Sequence, residues 1–191
     1  MARVSNPANE NNWETGPKLL QYLIKKKHWS PFEMASMCLQ INTQRDIAAQ
    51  IIRHRSFSYQ EFSTRYAKTD LATVPWFRRQ DLKNRQNSIN DINPFQQQEF
   101  QQKAQRVIKE SYDLYEYMLK RGVAKETARR ILPLCTPTSL YMTGTLRSWI
   151  HFILLRTAPE TQHEHRLIAQ KALTIFKREF PTIAEAAFDK L

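Results

Sequence analysis

The most restrictive feature of this 191-residue sequence is its shortage of glycine. Glycine occurs only at Gly16, Gly122 and Gly144, so the chain cannot carry the glycine-rich turn of a dinucleotide-binding fold or the loop of a P-loop protein. A chain that binds nucleotide phosphate without such loops must use arginine forks, hydroxyl groups or helix N-termini. The charged and hydroxyl side chains are therefore the candidates for binding a nucleotide phosphate.

The composition is that of a folded domain with a strong excess of positive charge. Apolar residues make up 41% of the chain and aromatic residues 11%, which is enough to build a buried core. The formal net charge of +11 suits nucleic acid, phosphorylated small molecules or an acidic surface, although a solvated basic surface explains it equally well. The sequence contains no apolar stretch of membrane-spanning length and no signal peptide. We therefore expect a cytoplasmic protein (in the host cytoplasm if the source is a virus) without a membrane partner.

The two cysteines, Cys38 and Cys135, lie far apart and belong to no metal-binding cluster. We predict that both are reduced structural thiols and that the protein holds no metal.

The spacing of apolar residues predicts a helix-rich α+β fold in one domain over residues 1–191. Strands are expected at 35–42 and 138–143, and capping boxes at Ser30–Glu33 and Thr161–Glu164. On the longest helix, which Gly122 should end, the predicted buried stripe is Phe100, Ala104, Val107, Ile108, Tyr115, Met118 and Leu119. The predicted helices are 17–28, 44–54, 94–121, 124–132, 145–157 and a last long helix that starts after Thr161 and ends before Pro181.

The segment RHRSFSYQEFSTRY (53–66) has the densest set of chemically active side chains. Three basic residues at the end of an apolar helix can simply complement its dipole. That interpretation does not explain the hydroxyls, the carboxylate and the further arginine that follow. Arginine forks with hydroxyl donors and a carboxylate suit a ligand that has both phosphate groups and a heteroaromatic ring.

This segment resembles the signature of the flavin-dependent thymidylate synthases, in which seven residues separate an Arg-His-Arg triplet from a serine. Here the serine is Ser63, and Arg65 and Tyr66 continue the pattern. Met34 stands where many members have a second histidine, and ARVS follows Met1 directly, so the family's usual N-terminal strand is expected to be missing. Further segments resemble the family in the same order, and together they cover the chain: ARVS (2–5), KHWSPFE (27–33), ARRILPL (128–134) and LRSWIHFILLR (146–156).

The resemblance implies that the chain is a homotetrameric methyltransferase whose active sites are shared between subunits. The implied reaction converts dUMP to dTMP, with methylenetetrahydrofolate as carbon donor, FAD as hydride carrier and NADPH as reductant. Arg156 would be the catalytic residue, because it would bind the uracil ring and stabilise the charge that develops there. The residues implied to bind FAD are His28, Arg53, His54, Arg55, Glu61, Thr145, Leu146, Arg147 and His151. Those implied to bind dUMP are Gln50, Ile51, Ile52, Arg53, Glu61, Phe62, Ser63, Thr64, Arg65, Arg129 and Arg156.

Helical spacing separates the arginines of the 146–156 segment. Arg147 and His151 are four residues apart and share one helix face, whereas Arg156 falls on nearly the opposite face. His163 and His165 are expected to face solvent and have no assigned role.

Two alternatives to this interpretation remain. Cys135 could be a covalent nucleophile, but no neighbour in the sequence would activate its thiol, and a buried structural role is the better expectation. The chain could also be a nucleic-acid-binding module that stacks bases on Tyr59, Trp76 and Phe77. That module would explain the charge but not the ordered segments, so we expect no nucleic-acid partner.

Overall fold

A computed structural model describes residues 2–4 and 6–188 of the chain. The ARVS segment is therefore described only at 2–4, and the prediction of a missing N-terminal strand lies partly outside the described residues. The chain divides into two units, each built from separate segments. Unit 1 comprises 1–39, 54–58 and 142–191, and unit 2 comprises 40–53 and 59–141. The single domain over 1–191 stays a prediction.

Helices and short strands make up both units, which confirms the α+β class. The helices are α1 (Gly16–Lys25), α2 (Arg45–Ile51), α3 (Pro94–Lys120), α4 (Lys125–Ala128), α5 (Leu146–Arg156), α6 (His163–Glu179) and α7 (Pro181–Phe188). Single 3₁₀ turns occupy Pro7–Asn9, Ser30–Glu33 and Arg129–Ile131. The strands are β1 (Ser36–Gln44), β2 (Ser58–Glu61), β3 (Arg79–Gln80), β4 (Ser88–Ile89) and β5 (Pro137–Thr145).

The larger sheet has the strand order β1-β5-β2. Burial alternates along its two long strands, with Met37 and Ile41 buried on β1 and Leu140 and Met142 buried on β5. This period of two is the pattern from which the strand at 35–42 is predicted, and the strand expected at 138–143 is present as β5.

Unit 1 has an aromatic core around the middle of α5. Trp149 and Phe152 are completely buried, and α5 packs against α6 and the turn Ser30–Glu33. Helix α7 packs against α1 and α6. The sequence pattern does not predict α7. Pro181 is expected to end the last long helix, and it does lie beyond α6, but proline is also well tolerated in the first turn of a new helix.

Unit 2 is organised around α3, whose start at Pro94 and stop at Gly122 are confirmed. Asn93 caps the helix by accepting from the backbone N–H of Phe95 and Gln96, and Gly122 has a φ of 82°, a conformation that favours glycine. The predicted buried stripe is wrong in part. Ile108 and Tyr115 are buried as expected, but Phe100 and Val107 are exposed and Tyr112 is buried instead.

Both predicted capping boxes are wrong. No side chain caps the turn Ser30–Glu33, which follows Trp29, and none caps α6, which follows Gln162 rather than Thr161. The Thr161 hydroxyl instead donates to the carbonyl oxygen of Leu155. Within residues 2–4 and 6–188, no helix combines the length and the apolar character needed to cross a membrane.

Candidate active site

The basic triplet 53–55 follows α2 directly, and its three side chains have different environments. Arg53 and Arg55 are exposed, whereas only 8% of His54 is exposed. The His54 ring packs edge-on against Phe152, with ring centroids 5.0 Å apart, and against Phe57 at 6.5 Å. His54 thus belongs to the aromatic core of unit 1.

His54 forms a hydrogen bond with Arg156, the predicted catalytic residue. The Arg156 Nε donates to His54 Nε2 at 2.8 Å, so this ring nitrogen carries no proton. Burial, the positive charge of Arg156 and the neighbouring His151, in that order, together lower the pKa of His54 to about 4. The imidazole is therefore neutral at pH 7, and it orients the guanidinium without contributing a counter-charge.

His165 lies beside this pair, which contradicts the expectation that it faces solvent. Its ring is completely buried, 5.8 Å from the Phe152 ring and 6.3 Å from the His54 ring. Neither ring nitrogen has a hydrogen-bond partner among the described residues, and burial lowers its pKa to about 4, with Arg156 and His54 adding to the effect. His163, by contrast, is exposed as predicted.

Arg147 and His151 line a cleft of about 750 Å³ in unit 1. Thr145 caps α5 by accepting from the Ser148 backbone N–H, and Arg147 forms an ion pair with Glu33. Leu146 is buried, and its backbone N–H donates to the carbonyl oxygen of Ala35 at 3.0 Å. The cleft lining combines aromatic, aliphatic and polar side chains: Trp29, Glu33, Met34, Ser56, Thr145, Arg147, Ser148, Ile150, His151 and Leu154.

A second groove of unit 1 contains His28, another residue that is predicted to contact the flavin. It shares Trp29, Glu33, Met34 and Arg147 with the cleft, so the two are continuous. Arg156 lines neither of them. Arg147 and His151 therefore line the same cleft, as their four-residue spacing predicts, and the opposite-face position of Arg156 stays a prediction.

In unit 2, two arginines converge on the hydroxyl of Thr64. Arg129 Nη1 donates to Thr64 Oγ1 at 3.2 Å, and Arg45 Nη1 donates to the same oxygen at 3.5 Å. Thr64 is buried, with 2% of its surface exposed. Arg129 and Thr64 were predicted to bind dUMP. The sequence pattern does not single out Arg45, whose only signal is its position at the start of α2.

The other residues predicted to bind the nucleotide differ in burial and in hydrogen-bond partners within unit 2. Glu61 accepts from the Thr138 hydroxyl at 2.8 Å, and Arg65 forms an exposed ion pair with Glu126. Ile51 is completely buried, and its carbonyl oxygen accepts from the Tyr59 hydroxyl. Ser63 and Gln50 are half-buried, and Arg53, Ile52 and Phe62 are exposed.

Neither cysteine lies in an activating environment in the part of the chain described here. Cys38 is exposed on β1, and Cys135 is half-buried, packing against the cluster of Ala72, Ile108 and Tyr112. Burial raises the pKa of the Cys135 thiol, which keeps it protonated. Among the described residues, no group of histidine, cysteine and acidic side chains is suited to hold a metal ion.

Known proteins match this chain over almost its whole length. The sequence profile described as "thymidylate synthase complementing protein" matches residues 1–182. A flavin-dependent thymidylate synthase of Synechocystis is 52% identical over 185 residues, which cover 97% of this chain and 85% of that protein. The chain belongs to the flavin-dependent thymidylate synthase family. A probable member from Paramecium bursaria Chlorella virus 1 is 50% identical over 97% of this chain and 86% of its own length.

A solved structure of a UMP/dUMP methylase, PolB from Streptomyces cacaoi with 5-Br dUMP, has the same fold. It superposes with a TM-score of 0.87 at 28% identity, over 97% of this chain and 86% of that one. The predictions of the family and of a flavin-dependent thymidylate synthase enzyme are thus confirmed. The individual ligand contacts and the cytoplasmic location stay predictions.

Proposed function

We propose that this chain methylates dUMP to dTMP, with methylenetetrahydrofolate as carbon donor, FAD as hydride carrier and NADPH as reductant. Family membership supports the nucleotide and the flavin, because relatives at 50% and 52% identity are named flavin-dependent thymidylate synthases. The PolB structure with 5-Br dUMP adds support for a uracil nucleotide as the substrate. The carbon donor and the reductant are carried over from the family resemblance.

The hydrogen bond from Arg156 to His54 is the observation that carries the proposal. An arginine that stabilises charge on a uracil ring must be held in a fixed orientation and must keep its own charge. His54 fixes Nε of the guanidinium at 2.8 Å while remaining neutral, and the aromatic core fixes His54. The remaining Nη donors of Arg156 would then point toward the N3/O4 edge of the ring. Activation of the pyrimidine would need no cysteine adduct.

The cleft with Arg147 and His151 fits the flavin. A flavin needs an apolar, partly aromatic surface for its ring system and cationic or hydrogen-bonding groups for its polar parts, and the lining of this cleft offers both. When bound, the flavin supplies the hydride chemistry. Arg147 would exchange its ion pair with Glu33 for the flavin, and the other contacts within unit 1 would come from His28, His54, Arg55, Thr145, Leu146 and His151. The resemblance also assigns Arg53 and Glu61 to the flavin.

The dUMP contacts are assigned mainly to unit 2. Arg129 would bind the phosphate, because its guanidinium already lies against the buried Thr64 hydroxyl. Arg53, Arg65 and Ser63 would add further donors, and Glu61 and Gln50 would address the polar edges of the nucleoside. Ile51, Ile52 and Phe62 would contribute backbone groups or apolar contact.

Two measurements test the proposal. Purified protein should show a flavin absorption spectrum with FAD in stoichiometric, noncovalent amounts. Turnover of dUMP should require the folate, NADPH and FAD, each tested by omission with product analysis by chromatography. A colourless protein that cannot be reconstituted with FAD, or dTMP formation that continues without the folate, would contradict the proposal.

We propose further that the enzyme is a homotetramer whose active sites are shared between subunits. Phe100, Val107 and Leu114 follow one another at seven-residue spacing on α3, and each is at least 40% exposed. Such an apolar stripe on a long helix suits packing against another copy of the chain. Light scattering should give a tetramer, and Val107→Glu should reduce its size, whereas the neighbouring surface change Arg106→Glu should not. An active wild-type monomer would overturn this proposal.

A second candidate substrate is UMP. The same methylase PolB is also known in a structure with 5-Br UMP, which superposes with a TM-score of 0.83 at 25% identity and covers 96% of this chain. Parallel assays with UMP and dUMP decide between the two, because a site selective for dUMP gives a much lower kcat/KM with the ribonucleotide.

The nucleic-acid-binding alternative loses support. Tyr59 uses its hydroxyl to bond the carbonyl oxygen of Ile51, and Phe77 packs edge-on against Phe100 at 6.2 Å. Of the three aromatic residues considered as a stacking surface, only Trp76 is exposed. A base-stacking platform needs several accessible ring faces.

A further inference from the structure

We infer that His165 is a positioning residue for Arg156 that acts through His54: its uncharged imidazole favours the tautomer of His54 whose Nε2 accepts from the guanidinium. The inference rests on the proposed function in so far as Arg156 acts on the uracil ring. Neither the sequence pattern nor the resemblance assigns a role to His165. Its place beside His54 comes from the packing of α6 on α5.

The hydrogen bond between Arg156 and His54 requires one particular state of the His54 ring. Arg156 Nε donates to His54 Nε2 at 2.8 Å, so the proton of the neutral imidazole lies on Nδ1. In the other tautomer Nε2 carries the proton, and two N–H donors would face each other. The guanidinium would then leave this position. Any neighbour that favours the first tautomer therefore also holds Arg156 in place.

Three aromatic rings near His54 differ in what they offer to it. The rings of Phe152, His165 and Phe57 have centroids 5.0, 6.3 and 6.5 Å from its own, and each lies nearly perpendicular to it. The two phenylalanine rings fix the plane of the imidazole by packing, but they present hydrocarbon to either tautomer. His165 presents a polar ring, whose dipole distinguishes between the two positions of the proton.

The state of His165 suits this role. Its ring is completely buried, and neither nitrogen has a hydrogen-bond partner among the described residues. Burial, the positive charge of Arg156 and the neighbouring His54, in that order, lower the pKa of His165 to about 4, so the ring is neutral at pH 7. A neutral imidazole has one acceptor and one donor nitrogen, and the low polarity of an aromatic core strengthens the effect of both on His54.

Packing alone does not explain a histidine at position 165. The ring lies 5.8 Å from that of Phe152, where a phenylalanine would fill a similar space without leaving polar atoms unsatisfied. Buried nitrogens without partners are unfavourable, because they lose their hydrogen bonds to water and gain none in the core. What the imidazole adds at this position is therefore its polarity.

The test compares His165→Phe and His165→Gln with a matched control, His163→Phe. His163 is exposed and lies two residues earlier on the same helix. His165→Phe keeps an aromatic ring but removes its polarity, and we expect kcat to fall about 3- to 10-fold, as for loss of one neutral hydrogen bond. The KM for dUMP and the FAD content should change by less than about twofold, and the control should match wild type.

The order of the two variants separates polarity from packing. Glutamine has a carbonyl oxygen acceptor and an amide donor, so His165→Gln should have a higher kcat than His165→Phe. A residue needed only for packing gives the opposite order, since phenylalanine matches the shape and the apolar surroundings of the ring better. A kcat of His165→Phe equal to or above that of His165→Gln would overturn the inference, and so would loss of FAD.

The tautomer itself can be measured by NMR after nitrogen-15 labelling of the five histidine side chains, with His54 assigned by substitution. In wild type at pH 7, His54 Nε2 should give the signal of an unprotonated nitrogen. In His165→Phe this signal should shift toward that of a protonated nitrogen, whereas His163→Phe should leave it unchanged. An unchanged His54 signal in His165→Phe would refute the inference. A protein without dUMP turnover that still shows the shift would refute the proposed function while supporting the effect of His165 on His54.

Discussion

The two units use arginine in opposite ways. In unit 1, Arg156 donates to a buried neutral imidazole that stands on a core of aromatic rings. In unit 2, Arg45 and Arg129 meet at a single threonine hydroxyl, with no carboxylate paired to either among the residues described. The first arrangement fixes the direction of one guanidinium, whereas the second accumulates positive charge.

The two arginine arrangements correspond to two different functions of a basic active site. A fixed arginine next to a neutral partner stabilises charge that develops during a reaction, because it need not reorganise in the transition state. Arginines that share an acceptor bind a charge that the ligand already has. We therefore expect substitutions in the first group to act on kcat and substitutions in the second group to act on KM.

Arg156→Ala should give the largest effect and test the comparison directly. We expect kcat to fall about 10²- to 10³-fold, as for loss of a donor to developing charge, with FAD content nearly unchanged. Arg156→Lys should recover little, since an ammonium group does not reproduce the planar fork. Arg129→Gln should instead raise the KM for dUMP. Single-turnover rates and dUMP titrations on these variants measure both quantities, and near-normal turnover in Arg156→Ala at saturating dUMP would reduce Arg156 to a binding residue.

The buried imidazoles of His54 and His165 in unit 1 should lower the free energy of unfolding at acidic pH. His54 and His165 have pKa values of about 4 in the folded protein, against about 6.5 when unfolded, so the unfolded state binds more protons between these values. Their stabilising contribution is complete above pH 6.5 and is lost as the pH falls toward 4, at up to about 1.4 kcal/mol per pH unit for each group. Burial is the largest cause of both lowered pKa values; Arg156 contributes to both, His151 to that of His54, and His54 to that of His165.

Urea unfolding at a series of pH values measures this dependence. His165→Phe removes one of the two buried groups and should reduce the slope of the unfolding free energy between pH 6.5 and 4. His163→Gln, at an exposed position of the same helix, is the control and should leave the slope unchanged. A slope that is equal in wild type and His165→Phe would show that His165 does not titrate in this range.

Gly144→Ala should destabilise the aromatic core under His54 by about 1–3 kcal/mol, the usual cost of overpacking. A Cβ at Gly144 would lie 2.4 Å from Cδ1 of Phe57, whose ring is held against Trp149 at a centroid distance of 5.0 Å. Gly16→Ala is the control, because nothing lies within 4 Å of its added carbon. Thermal unfolding of both single variants measures the effect. In a double variant, Phe57→Leu should relieve part of the destabilisation caused by Gly144→Ala. A double variant that is no more stable than Gly144→Ala would show that contact with Phe57 is not the cause.

Cys135→Ala should have the smallest effect on catalysis, with kcat/KM within about threefold of wild type. The thiol packs against unit 2 core residues and its raised pKa keeps it protonated, so it is not a nucleophile. Cys38→Ala should behave in the same way. Loss of turnover by more than about a hundredfold in a folded, flavin-containing Cys135→Ala protein would indicate covalent catalysis instead.

Much of the fold, and the family, can be predicted from the amino-acid sequence alone. Apolar spacing predicts α3 and α5 to within about two residues, and alternation predicts β1, because local periodicity directly reflects which face is buried. The ordered segments around Arg53–Arg55, Arg129 and Arg147–Arg156 identified the family. The same periodicity failed for Phe100 and Val107, whose apolar character alone did not show which side of α3 is covered.

The environments of the key side chains depend on packing between elements that are distant in sequence. His165 and His54 are far apart in sequence, and the packing of α6 on α5 is what buries one beside the other and beside Arg156. Arg45, Thr64 and Arg129 meet although 19 and 65 residues separate the threonine from the two arginines. Hydrogen bonds and charge repulsion depend on distances of a few ångströms in space. Sequence spacing sets such distances within a helix or strand, but only packing sets them between elements.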